Sequence, residues 1–265
     1  ELVRLSWPRN ESVTSAEAAI RVIFADGFAK HLTVPISYSF SAPLSVSLDR
    51  AEADVAERLL RVDVTAQVER AEIKAYGAGK ALLDARTEEI HAGPGRIEVP
   101  WVGDPADVVL LDVTLHSASA WAGFTYSPWF LNIPHEDVLF ETNSDVIASD
   151  EEWKLDRTLE QLQEVLDQYG DLVPVKLYIA GCTDTVGDKG HNRDLSHRRA
   201  RAIATWLQQH GAAMPIFYYG FGEGLLAIET GDGVDEAGNR RALYMVGANP
   251  PPSGSGIPFV RWNAL

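Results

Sequence analysis

The residues best suited to chemistry lie in one stretch, Gly181–Ala200, which reads GCTDTVGDKGHNRDLSHRRA. With the residue that follows, it joins Asp184 to three arginines within four positions, Arg198, Arg199 and Arg201, in a chain with 38 acidic residues, 23 basic residues and a net charge of −15. An aspartate and an arginine flanking one cleft can hold a zwitterion, the carboxylate taking an ammonium and the guanidinium a carboxylate. Each contact of that kind is worth about 1–4 kcal/mol, according to how far water is excluded. Ser196 is a good N-cap, so a helix is expected to start there, with Ala200, Ile203, Ala204 and Leu207 on its apolar face. Arg198 then faces away from that stripe and Arg199 lies about 100° from Ala200, at its margin. Arg198 and Arg201 are expected to be solvated, and Arg199 to look over the edge of a sheet.

A cation in the first turn of a helix is opposed by the helix dipole by roughly 0.3–1 kcal/mol. A broken local rule marks a candidate for function, and arginine beside free helix-start N–H groups would make a carboxylate or phosphate site. Spacing alone leaves three arrangements open: an internal Asp184–Arg199 pair, an Asx-turn at Asp184, and a ligand clamp. A metal or hydrolytic centre from Cys182, Asp184, His191 and His197 matches no standard ligand spacing and offers no paired base and nucleophile. His31, His91, His116, His135 and His210 are scattered and read as structural or solvated.

The elements around the stretch read as an α/β unit from about Asn132–Glu136 onward. Val138–Thr142 is expected as a strand. A helix follows, opened by a capping box at Ser149–Glu152, carried by Leu155, Leu159, Leu162, Leu166 and Tyr169, and stopped by Gly170. Val175–Ala180 is a strand that delivers Thr183 and Asp184 at its carboxyl end, where ligands gather in open α/β sheets. The second helix ends at Gly211, and Ile216–Tyr219 and Arg241–Val246 complete the set as strands. The first half reads as β, with alternation at His31–Phe40, Leu44–Leu48, Leu59–Val68, Ala71–Tyr76, Arg96–Trp101 and Val108–His116. Turn residues at Gly77–Gly79 and Gly93–Gly95 separate those runs, DVAERLL could form a short helical turn, and Trp101, Trp121 and Trp129 are expected in core and rim packing. An antiparallel sandwich of immunoglobulin-like outline follows from that spacing. The fold class is therefore α+β in two domains: a β-sandwich over 1–133 and an α/β unit over 134–248. Residues 249–265 are a Pro/Gly/Ser linker and tail whose aromatic end is expected to dock back on the body.

Composition narrows the function classes. With 46% hydrophobic and 23% charged residues the chain can build cores, and no run approaches the roughly 18 apolar residues of a membrane-spanning helix. The acidic balance argues against nucleic acid or anionic lipid as the main partner. Cys182 is the single cysteine, which excludes an internal disulfide framework.

The central stretch resembles the core motif of the OmpA-like (OmpA/MotB C-terminal) peptidoglycan-binding family. Gly181, Thr183, Asp184, Gly187, Asn192, Leu195, Ser196, Arg199 and Ala200 fall in register with it. Phe140 and Asn143 in VLFETNSDVI resemble the family's opening Phe-x-x-Asn, and GFGE with GNRRALYMV resembles its late motifs, so the likeness spans about Pro134 to Ala248. It implies a βαβαββ fold with helices on a mixed sheet and non-covalent binding of the peptidoglycan stem peptide through diaminopimelate, without catalysis, metal or cofactor. Asp184 would meet the ammonium and Arg199 the carboxylate, with Thr142, Asn143, Thr183, Asn192, Leu195 and Arg240 lining the site. Arg241 reads as an ordinary strand-edge charge. Cys182 replaces the family's histidine and reads as a small buried thiol, and Ala242 replaces the valine that opens the last strand. The implied compartment is the periplasm, with an outer-membrane anchor upstream of Glu1 left open. The alternative is an OmpA-like fold serving as a protein-interaction scaffold in an envelope assembly, with the β-domain contacting other envelope proteins.

Overall fold

The computed structural model describes residues 15–37, 43–48, 56–251 and 255–265. The first strands, β1 (Ser15–Ile23) and β2 (Ala29–Ser37), form an antiparallel hairpin. Its turn is closed by Asp26, whose carboxylate accepts the Phe28 N–H at 3.0 Å, and by Gly27 at φ +85°. Two antiparallel sheets follow. One runs β3 (Val46–Leu48), β4 (Leu59–Val64), β7 (Gly95–Pro100), and the other runs β6 (Leu82–Ala92), β5 (Val68–Tyr76), β8 (Leu110–His116), β9 (Trp121–Tyr126). Alternate residues of both sheets, Leu60, Val62, Ile97 and Val99 from one and Ile73, Leu111, Val113 and Leu115 from the other, share a single core. That is the packing of a sandwich, as period-two burial requires. Trp101 and Trp129 are buried, and Trp121 is 70% exposed.

Several details differ from expectation. β1, β6, β9 and a short later strand, β10 (Phe130–Asn132), are strands that the sequence patterns did not signal. In β6 the half-buried face begins with Asp84, Arg86 and Glu88, joined by ion pairs of 2.8 and 3.2 Å, and only Ile90 and Ala92 at its end are apolar, too few to read as alternation. The described part of DVAERLL is a turn at 56–58, with Arg58 at φ +55°, running straight into β4; Asp54 and Val55 lie outside the described residues. The end of the expected His31–Phe40 strand, beyond Ser37, also lies outside them.

The second core is built on a mixed five-stranded sheet, ordered β10 (Phe130–Asn132), β13 (Ala242–Gly247), β11 (Lys176–Cys182), β12 (Ile216–Gly222), β14 (Asn263–Ala264). β11 and β12 are parallel and the other pairs antiparallel. Helices α1 (Glu152–Tyr169) and α2 (Lys189–Gln209) bury Leu155, Leu162, Ile203 and Leu207 against Leu177, Ile179, Tyr244 and Val246 of the sheet. The opposite face carries Tyr178 and Met245, packed with Phe217 and Phe221 of β12 and with Trp262 of the tail, which stands edge-on to Tyr178 at 5.3 Å. The chain is thus α+β, with a β-rich first part.

Three local expectations are corrected here. Val138–Thr142 is not a strand; the sheet's first strand is β10. After Ile133 the ladder ends because Pro134 has no N–H, and side chains take over its bonding. The His135 ring lies 2.7 Å from the Ile133 carbonyl and 2.8 Å from that of Ala242, Asp137 accepts the Ala242 N–H, and the Leu139 N–H goes to the Glu151 carboxylate at 2.6 Å. The capping box at Ser149–Glu152 does not form either: α1 begins only at Glu152, so Glu151 rather than Ser149 sits at the N-cap position, no side chain caps the helix, and the Glu151 carboxylate is taken by the Leu139 N–H and by Lys154 at 2.7 Å. Finally, α2 does not begin at Ser196. It begins at Lys189, capped by Asp188, whose carboxylate accepts the N–H groups of Gly190 at 2.9 Å and His191 at 3.1 Å.

Candidate ligand-binding site

The site is made possible by glycines that bring α2 onto the sheet. A Cβ on Gly181 would lie 2.3 Å from the Ser196 carbonyl oxygen, and one on Gly220 would lie 2.3 Å from the His197 backbone nitrogen. At that approach Ser196, inside the helix, accepts the Gly222 N–H at 2.9 Å and donates to the Arg193 carbonyl at 2.9 Å. The Thr183 N–H bonds the Gly222 carbonyl at 2.9 Å, so the strand ends stay joined where Asp184 emerges.

Around that junction lies a cavity of ≈ 670 Å³. All eight residues expected at the site line it: Thr142, Asn143, Thr183, Asp184, Asn192, Leu195, Arg199 and Arg240. Phe140, Asp188, His191 and Asp235 line it as well. Of these, Asp235 carries no sequence signal beyond lying five positions before Arg240, and His191 stands out in the sequence only as a metal-ligand candidate.

Each side chain is held by specific partners. Asp184 is only 8% exposed; its Oδ1 accepts the Val186 N–H at 3.3 Å, an Asx-turn, and its Oδ2 accepts from Arg240 at 2.7 Å. Arg240 bridges onward to Asp235, one Nη1 serving both carboxylates. These bonds to Asp184 and Asp235 hold the Arg240 guanidinium above its usual pKa. The internal Asp184–Arg199 pair is therefore not formed. Arg199 instead donates from Nε to the Ser144 carbonyl at 2.9 Å and from Nη2 to the Glu141 carbonyl at 3.1 Å, and stands over the Phe140 ring at 5.0 Å. Burial, then the nearby cations Arg198 and Arg240, lower its pKa.

The loops are fixed in the same way. Asn192, buried, donates to the Asp184 and Val186 carbonyls at 3.4 and 3.1 Å and so clamps the loop that carries the acid. Asn143 adopts φ +58° with its Oδ1 3.1 Å from His191 Nε2. Thr185 Oγ1 donates to the Gly231 carbonyl at 2.6 Å and accepts the Val234 N–H at 3.1 Å, which places Asp235 opposite Asp184. Thr183 Oγ1 is buried at the cavity wall with no hydrogen-bond partner among the described residues. Arg198 faces Asp145 at 3.6 Å and Arg201 is exposed, as the helical wheel required.

The four residues of the metal reading are engaged separately. His191 meets Asn143 and His197 packs near Tyr218 at 5.0 Å. Cys182 is buried behind the loop, and that burial pushes its thiol up to about 12 despite the opposing charge of Arg241.

Residues 139–240 match the model of the OmpA family. The chain carries an OmpA domain. No curated protein matches it. Among solved structures the chain is similar to the peptidoglycan-associated lipoprotein from Burkholderia pseudomallei, at 22% identity, TM-score 0.34, covering 42% of this chain and 88% of that one. It is similar as well to the periplasmic domain of Helicobacter pylori MotB, at 18% identity, TM-score 0.34, covering 53% and 83%. A third is the cell wall anchor of the T6SS from Pseudomonas aeruginosa, at 17% identity, TM-score 0.31, covering 56% and 85%. The matched span of the OmpA domain contains every residue of the cavity wall named above, and it leaves the sandwich and the docked tail outside.

Proposed function

We propose that the OmpA domain binds peptidoglycan non-covalently through the diaminopimelate of its stem peptide, and so tethers the chain to the cell wall in the periplasm. The observation that carries this reading is the charge layout of the ≈ 670 Å³ cavity, where a nearly buried carboxylate, Asp184, shares one wall system with the guanidiniums of Arg199 and Arg240. An amino-acid centre offers an ammonium and a carboxylate together, and that layout is its complement. The ligand ammonium takes the Asp184 carboxylate, Arg240 keeps Asp235 as counter-ion, and the ligand carboxylate takes the guanidinium edge of Arg199 that the loop carbonyls leave free. Thr183 Oγ1 lies where it can bond the same centre. A single such site gives modest affinity, and tethering to a polymer with many stem peptides supplies the rest.

The test is co-sedimentation of the full chain with diaminopimelate-type sacculi. Losing one charge-assisted contact should lower binding about tenfold, equivalent to about 1.4 kcal/mol, in Asp184→Ala and in Arg199→Ala, with unfolding temperature recorded for each. Wild-type pull-down that both variants retain in full would sink the assignment, and release of soluble muropeptides by the wild type would point to an enzyme.

A further inference from the structure

Next to the main cavity, behind Arg199, lies a second and much smaller one of ≈ 50 Å³. Phe140, Arg199 and Arg240 belong to both walls; the rest of the small cavity is formed by Val138, Leu139, Cys182, Ala200, Ala242 and neighbouring apolar positions, and by Arg241. Arg241 was expected to be a strand-edge charge. Instead its Nε is buried and meets no hydrogen-bond acceptor among the described residues. The side chain as a whole is half-buried, and an unsatisfied buried N–H of this kind calls for an ion or water as its explanation.

The charges around the cavity decide between the two. Arg240 is compensated by Asp184 and Asp235. Arg199 has only the carbonyls of Ser144 and Glu141, and no carboxylate within ion-pair distance among the described residues. Arg241 has none either. Two uncompensated guanidiniums therefore border one small, otherwise apolar cavity. Asp137, the acid near Cys182, spends its Oδ1 on the Ala242 N–H.

We propose that this cavity is an anion subsite that takes a carboxylate-sized group, with Arg241 as its principal ligand and Arg199 as the wall shared with the main site. The small volume suits a carboxylate better than a phosphate ester or an aromatic acid. The carboxylate comes either from free solution or from a limb of whatever occupies the main cavity. The subsite stands on the two guanidiniums and the cavity, and does not depend on the peptidoglycan reading.

The experiment is thermal unfolding of the full chain while sodium formate replaces sodium gluconate, too large an anion for the cavity, at constant ionic strength. Wild type should show a saturable rise in Tm, about 3 °C at ten times the half-saturating concentration. Arg241→Met, which keeps the length of the side chain and removes its charge, should lose that rise and should be at least as stable as wild type in gluconate. No rise in wild type, or an equal rise in both proteins, overturns the proposal. Crystals of the wild type soaked in bromide give a second readout: anomalous density at Arg241 Nε is expected, and bromide sites only elsewhere count against it. Adding diaminopimelate before formate separates the two sources. A formate response that survives identifies a free anion, and one that disappears identifies a carboxylate limb of the ligand.

Discussion

Replacing Gly220 by alanine tests how the site is assembled. The new Cβ would stand 2.3 Å from the backbone nitrogen and 2.5 Å from the Cα of His197 in α2. Carbon packs comfortably at about 3.5 Å, so the helix must retreat by about 1 Å, because backbone cannot rotate away as a side chain can. Overpacking of a core ordinarily costs about 1–3 kcal/mol. The retreat also stretches the Gly222 N–H bond to Ser196 Oγ from 2.9 Å towards the limit of a hydrogen bond, leaving a buried donor at a further cost of about 1–3 kcal/mol. Together these predict a loss of about 2–6 kcal/mol, or a fall in Tm of roughly 10 °C for a chain of this size. Because Asn192, Leu195 and Arg199 ride on the same helix, sacculus binding should fall with it. Gly231→Ala is the control: nothing lies within 4 Å of its Cβ, and its Tm should stay within about 1 °C of wild type. Scanning calorimetry of both variants decides the matter, and a Gly220→Ala protein as stable as Gly231→Ala would refute the close-approach account.

Two further outcomes follow from buried titrating groups. Burial on its own would lower the His135 pKa, but Asp137 and the carbonyls of Ile133 and Ala242 outweigh it and raise it above 6.5. The raised value means that the imidazolium stabilises the fold fully below pH 6.5, and that this contribution is lost as pH rises through the folded-state value; His135→Gln should flatten the urea stability profile across that window. Cys182, with its thiol near 12, should resist iodoacetamide at pH 8 in the native state and react at the rate of an ordinary thiol once unfolded in guanidinium.

Much of the fold was legible because apolar periodicity and burial coincide. Leu155 and Leu162 of α1, and Ile203, Ala204 and Leu207 of α2, are the buried residues that helical spacing selects. Where partners are polar, the pattern fails. β6 devotes most of its half-buried face to Asp84, Arg86 and Glu88, paired with one another, and the segment after Ile133 exchanges ladder bonds for His135, Asp137 and Glu151. Asp235 illustrates a different limit, since its pairing with Arg240 depends on Thr185 holding a loop from a distant strand end.

Arg199 shows how a cavity-lining residue can be found for an unsound reason. Ser196 carries the residue type of an N-cap, but the carboxylate of Asp188 satisfies the first N–H groups of α2 two turns earlier. Arg199 therefore lies eleven residues past the cap Asp188, about three turns into the helix, where the helix-start dipole has no hold on it. No unfavourable dipole needs explaining, and no free helix-start N–H groups stand beside it. What distinguishes Arg199 from Arg198 and Arg201 is its angular position. The margin of the apolar stripe turns its guanidinium inward over Phe140, away from the solvent that receives Arg201 and from Asp145, which faces Arg198. There it is compensated by carbonyl dipoles rather than by a carboxylate. A cation held in place by dipoles keeps its full charge for a ligand, whereas Arg240, bound to two aspartates, does not.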